Sequence, residues 1–178
     1  MADTSNGLMY GVAAVKFKAP EGEEKTLGWL DQNGMQPAGN APTFIDVNAA
    51  QVTDGPVDSI MTNPGSDAFT MNLIKLDAQS MVDVFGGKKE ADDSYTPPVK
   101  FVANGVLTIS MHSGHSFRIF NARLSRNGFQ NGINMQNVLA MGIRVDMLKP
   151  TDGKERRYRT YPPGVEPDTA DSTADAAG

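Results

Sequence analysis

The sequence has no cysteine. That excludes disulfides, thiolate nucleophiles and Cys-based zinc sites. Aromatic residues are few, at 7%, with a single Trp, which leaves little for the exposed aromatic platform of a carbohydrate-binding module. No apolar run approaches the roughly 20 residues needed to cross a bilayer as a helix. Met1 to Gly7 is polar and lacks a basic segment followed by an apolar one, so no secretory leader is expected. Positive charge is also short: 16 Lys and Arg face 21 Asp and Glu, for a net charge of −5. Tight nucleic-acid binding needs Lys and Arg against phosphate, so this balance argues against it. A surface past which DNA moves without sticking stays compatible.

What is present describes a globular chain of about one domain. Its 178 residues are 39% hydrophobic. The acid excess is local. Pro162 to Gly178 holds Glu166, Asp168, Asp171 and Asp175 with no Lys or Arg, so the remainder is close to neutral. This stretch is rich in Pro, Gly, Ala, Ser, Thr and Asp and cannot bury enough apolar surface to offset its ordering entropy. The expected organisation is a folded unit over residues 1–161 and a flexible acidic tail over 162–178.

The folded unit reads mostly as strands. Met9, Gly11, Ala13, Val15 and Phe17 share one parity, with Lys16 and Lys18 on the other. Thr43, Ile45, Val47 and Ala49 alternate with Phe44, Asp46 and Asn48. The same period of two runs through Phe69–Leu73, Leu107–His112 and Leu139–Leu148. Such alternation marks half-buried antiparallel strands. Ser113-Gly114 predicts a tight hairpin, and Asn127-Gly128 and Asn131-Gly132 are further turn signals. One helix is expected over Ala78–Phe85, capped by Asp77 and ended by Gly86-Gly87, with Met81, Val84 and Phe85 on one face. The predicted fold is mainly β, an antiparallel two-sheet sandwich or barrel with one short flanking helix. Ala19–Ala41 and Lys88–Pro98 read as long loops.

Motifs for chemistry are weak. His112 and His115 form HxxH across a strand and a turn, a spacing that does not bring both rings to one metal. Gly86-Gly87-Lys88-Lys89 follows a helix rather than opening one, so it offers phosphate no helix N-terminus. Asp92-Asp93 lacks the alternating oxygens and closing Glu of a calcium loop. Asp46, Asp58, Asp67 and Asp83 have no recognisable acid–base partner. No enzyme activity, cofactor or metal is expected.

Three segments carry a resemblance. DAFTMNLIKLDAQSMVDVFGG (Asp67–Gly87) resembles the core of the tail tube proteins of long-tailed bacteriophages, where a strand leads into a short helix closing on an aromatic-Gly pair. Leu27-Gly28-Trp29-Leu30 followed by Asp31–Gly34 resembles the family's leucine-glycine segment and acidic turn. FRIFNARLSRNG (Phe117–Gly128) followed by Val138–Pro150 resembles its penultimate hairpin and last strand. Together they span Leu8 to Pro150.

The resemblance implies a sandwich flanked by a helix, assembled as homohexameric rings that stack into a tube through which DNA is ejected. It implies a virion location after assembly in the bacterial cytoplasm, no membrane anchor, and tape-measure, terminator and baseplate or tip proteins as partners. DNA contact would be transient and non-specific. A tail terminator or capsid decoration protein is the alternative, and a monomeric ligand-binding module a more distant one. Lumen candidates are Asp46, Asn48, Asp58 and Asn72. Candidates for contacts between subunits or rings are Trp29, Asp31, Lys88, Lys89, Asp92, Asp93, Tyr95, Arg156, Arg157 and Arg159. The charged Lys88–Pro98 loop and the acidic tail depart from the family's pattern.

Overall fold

The computed structural model describes residues 7–151 and 156–167. Most of the expected tail lies outside them. The chain is mainly β and antiparallel, with one short helix. In order its elements are β1 (Val12–Lys18), β2 (Glu24–Thr26), β3 (Leu30–Pro37), β4 (Thr43–Val47), β5 (Asp58–Asn63) and β6 (Ala68–Leu73). There follow α1 (Ala78–Phe85), β7 (Lys88–Lys89), β8 (Tyr95–Thr96), β9 (Val102–Met111), β10 (Ser116–Gln130), β11 (Ala140–Met147) and β12 (Tyr158–Tyr161).

Eight strands form one sheet in the order β2-β1-β9-β10-β11-β6-β3, with β12 also paired to β10. Its two end strands, β2 and β3, are separated in the chain by only Leu27, Gly28 and Trp29. Three residues span about 10 Å, so the sheet must curl until its ends nearly meet. Leu27 sits buried at that junction and its N–H donates to the Val15 carbonyl at 2.9 Å. Trp29 accepts from the Ile74 N–H at 2.9 Å on the other side. Both layers of the core therefore come from one sheet. No closed barrel is found among the described residues, because the end strands β2 and β3 form no ladder with each other.

β10 carries two of the sheet's register shifts. Its pairing with β9 shifts register between Ile119 and Ala122, and its pairing with β11 shifts between Arg126 and Phe129. Each such bulge bends and twists the strand. Asn127-Gly128 is thus a bulge inside β10 rather than a turn, whereas Ser113-Gly114 does close the β9–β10 hairpin, with Gly114 N–H donating to Met111.

Alternation then sorts the side chains. Leu107, Ile119, Leu124 and Ile143 are fully buried, in one cluster with Val15 and Phe17 of β1 and Met71 of β6. Each such side chain stabilises the fold by about 1.5–3 kcal/mol relative to exposure. The other parity of β11 is polar: Asp146 accepts from Arg123 and Arg144, each at 2.8 Å. Burial pushes the Asp146 carboxyl up, but the two guanidiniums outweigh it and hold it below its ordinary value.

Helix α1 matches its sequence signals. Asp77 accepts from the Ser80 N–H at 3.0 Å and the Ser80 hydroxyl at 2.8 Å, and Gly86 N–H donates to Val82. Met81, Val84 and Phe85 face the core, with Phe85 edge-on to Phe101 at 5.1 Å. The two expected loops are corrected. Ala19–Ala41 contains β2 and β3, both edge strands, and Lys88–Pro98 contains the β7–β8 hairpin. β2 is wholly exposed and β3 buries no residue fully, so neither shows the apolar parity of a core strand.

Ile143→Ala is expected to cost about 2–5 kcal/mol in urea unfolding of the monomer. Ile60→Ala, on the exposed β5, should stay within about 0.5 kcal/mol. The Asp77 carboxyl falls from 3.8 to about 2 in the fold, chiefly through the Ser80 N–H. Its stabilisation is therefore full above pH 3.8 and lost as pH falls from 3.8 towards 2. Asp77→Asn keeps a capping oxygen that does not titrate, so hydrogen exchange at Ser80 should lose that acid dependence.

Candidate functional site

Strands β4 and β5 pair only with each other and belong to no larger sheet. They project as an arm from the end of the main sheet where β3 stops and β6 starts. The arm's neck is a close crossing. Asn40 and Ser66 exchange both backbone hydrogen bonds, at 2.8 and 2.9 Å. Gly39 and Gly65 flank that bridge. A Cβ on Gly39 would run into the Ser66 carbonyl, and one on Gly65 into the Asn40 carbonyl; Gly65 also has φ +76°. Only glycine permits both the approach and that backbone angle.

Beyond the neck, every residue of β4 and β5 is exposed. The register places Phe44 opposite Met61 and Ile45 opposite Ile60. Neighbouring positions of a strand point to opposite faces, so each face of the arm carries an apolar cross-strand pair. All four side chains are more than half exposed: Phe44 54%, Ile45 60%, Ile60 55% and Met61 53%. Further out, each face turns acidic. Asp46 follows Phe44 on one and accepts from the Ser59 hydroxyl at 3.0 Å; Asp58 precedes Ile60 on the other. Residues 43–63 contain three Asp and no Lys or Arg. A lone two-stranded hairpin is marginal in water, and apolar pairs on both faces add surface that water disfavours.

The predicted lumen residues divide. Asp46, Asn48 and Asp58 fall together on this arm. Asn72 lies in β6 of the main sheet, half-buried, donating to Asp31 at 3.0 Å.

The predicted contact residues are dispersed. Trp29 is 71% exposed at the junction of the sheet's ends. Asp31 is engaged with Asn33 and Asn72. The β7–β8 hairpin satisfies its charges internally: Lys88 meets Glu90 and Lys89 meets Asp93, each at 2.8 Å, while Asp92 accepts from Ser94. Hydrogen bonding to Asp93 raises the Lys89 ammonium, and hydrogen bonding from Ser94 lowers the Asp92 carboxyl. Tyr95 donates its hydroxyl to the Gly86 carbonyl at 2.9 Å, tying the hairpin to the helix end. Arg156 lies over the Phe120 ring at 4.4 Å, Arg159 over Tyr161 at 5.2 Å, and Arg157 is 3.8 Å from Asp67. Whether this basic run meets the acidic tail concerns residues outside those described. His115 shares a 3.1 Å hydrogen bond with Ser113. Among the described residues no group of three His, Asp or Glu is placed to hold a metal.

Two apolar grooves complete the surface. A cavity of about 630 Å³ opens beside the arm's neck, floored by Phe69, Phe117 and Tyr158, whose rings pack edge-on and then stacked. A second of about 280 Å³ lies at the far end of the sheet, against α1. No helix among the described residues is long and apolar enough to cross a membrane. No protein-family model matches the chain, and no curated protein matches it.

Alternation alone misplaces β4 as a half-buried strand. The signal that finds the arm is failure of alternation: Phe44, Ile45 and Val47 put apolar groups on both parities, and Ile60-Met61 repeats this across the pair. Gly65→Ala should open the Asn40–Ser66 bridge by about 1–3 kcal/mol through the strained backbone angle. Hydrogen exchange should speed up at Asn40 and Ser66 and stay unchanged in β10 and β11.

Proposed function

We propose that this protein is a non-enzymatic structural subunit that assembles with copies of itself into stacked six-membered rings, forming a bacteriophage tail tube through which DNA passes. The observation that carries this reading is the β4–β5 arm. It is a paired, two-faced apolar projection that its own chain leaves uncovered, and protein surface of that kind is completed by association. Identical copies supply such cover in any number, which suits a repeating tube. The open ends of the curled sheet, β2 and β3, add unpaired strand edges of the kind that join neighbours. The segments that resemble tail tube proteins occupy β6 with α1, the junction at Leu27–Leu30, and β10 with β11, which are the elements that build the body.

Negative-stain microscopy of the purified protein should show rings of about six subunits or tubes built from them. Replacing Phe44–Thr62 with a short Gly-Ser linker should abolish tubes while leaving the thermal unfolding of the body intact. A wild-type protein that stays monomeric at high concentration would sink the reading. Gold labelling of the particle separates a tube subunit, present along the whole tail, from a terminator or decoration protein.

A further inference from the structure

The arm and the smaller apolar groove lie at opposite ends of the same sheet. The register shows this directly. The arm leaves β3 at Pro37 and returns at Ala68, where Pro37 pairs with Phe69 and Ala68 with Asp146. The groove is lined by Phe85, Phe101, Phe129 and Met141, and Met141 pairs with Leu73, at the other end of β6. The five steps of strand from Ala68 to Leu73 place these ends about 17 Å apart.

The groove and the arm are also chemically matched. The groove's walls are apolar, and Val99, on its rim, is fully exposed at 102%. Its one charged lining residue is Arg126, whose guanidinium stands over the Phe129 ring at 5.2 Å. No carboxylate pairs with Arg126 among the described residues. The arm offers the complement on either face: an apolar pair, then a carboxylate two positions further along the strand, with no basic residue to repel the guanidinium.

We infer that the arm of one copy docks in the Phe85–Phe129 groove of the next, with Asp46 or Asp58 meeting Arg126. This rests on the self-assembly reading and deepens it by naming donor and acceptor. Because the two surfaces differ and sit at opposite ends, the contact is head-to-tail and propagates along the strand direction instead of closing a pair. It assigns the arm's acids to a contact between subunits rather than to the lumen. The larger groove beside the neck is at the arm's own end. An arm that reached it from a neighbour in the same orientation would join subunits side by side within a ring and would not stack one ring on the next.

The test mixes two full-length variants. One has Phe44–Thr62 replaced by the Gly-Ser linker and keeps its groove. The other carries Val99→Asp with Arg126→Glu and keeps its arm; both positions are exposed, so folding is preserved, checked by thermal unfolding. Neither alone should stack, each losing at least ~30-fold in apparent affinity. Mixed, they should give a complex of 1:1 stoichiometry that does not elongate, read by multi-angle light scattering. Adding Asp46→Lys and Asp58→Lys to a chain with Arg126→Glu alone should restore stacking. Tubes formed by the groove variant on its own would overturn the docking site and leave the tube reading standing. A mixture that stays uncomplexed, or a wild type that forms only closed dimers, would overturn it too. A wild type that never associates defeats the tube reading itself.

Discussion

The fold depends on one sheet bending far enough to cover itself. A flat sheet of this width would leave one face of Leu107, Ile119 and Ile143 to water. Register shifts in β10, and in the β1–β9 and β3–β6 pairings, contribute to the bend, and Leu27 sits where the sheet's ends arrive. That short connection is a constraint as much as a contact: three residues cannot reach between β2 and β3 unless the curl is nearly complete. Helix α1 then covers part of the core with Met81, Val84 and Phe85.

The same constraint explains what is left outside. With one curled sheet holding the core, the segment between β3 and β6 has no layer to join. It forms its own hairpin, held at the neck by the Asn40–Ser66 bridge, and all of its strand side chains stay in contact with solvent. Burying four half-exposed side chains of this size, at about 25 cal/mol per Å², gives several kcal/mol of drive towards association. The charges are partitioned in step. The polar parity of β11 pairs Asp146 with two arginines, the β7–β8 hairpin pairs its own lysines and acids, and the arm's carboxylates face no cation on their own hairpin.

Much of the body was legible in the residues. The Asp77 cap, the apolar face of α1, the Ser113-Gly114 hairpin and the core parities of β1, β6, β9 and β11 all follow from local patterns, because each depends on neighbours within a few residues. The edge strands β2, β3 and β12 were missed: Glu24–Thr26 is wholly exposed, Leu30–Pro37 buries no residue fully and Tyr158–Tyr161 is only four residues long, too short for a period to register. The predicted contact residues Trp29, Tyr95 and Arg156 lie apart on the body. They sit at the sheet junction, against the helix end and over Phe120.

By itself the sequence determined the secondary structure of the core, the antiparallel character of the sheet and the near-neutral body, since side-chain parity and capping chemistry act locally. It also contained the apolar residues of both arm faces, without saying that nothing covers them. Tertiary structure alone decided that, because exposure depends on which distant strands arrive. It likewise decided that the arm and the Arg126 groove occupy opposite ends, a consequence of how β3, β6 and β11 are paired over long sequence separations, which no local pattern encodes.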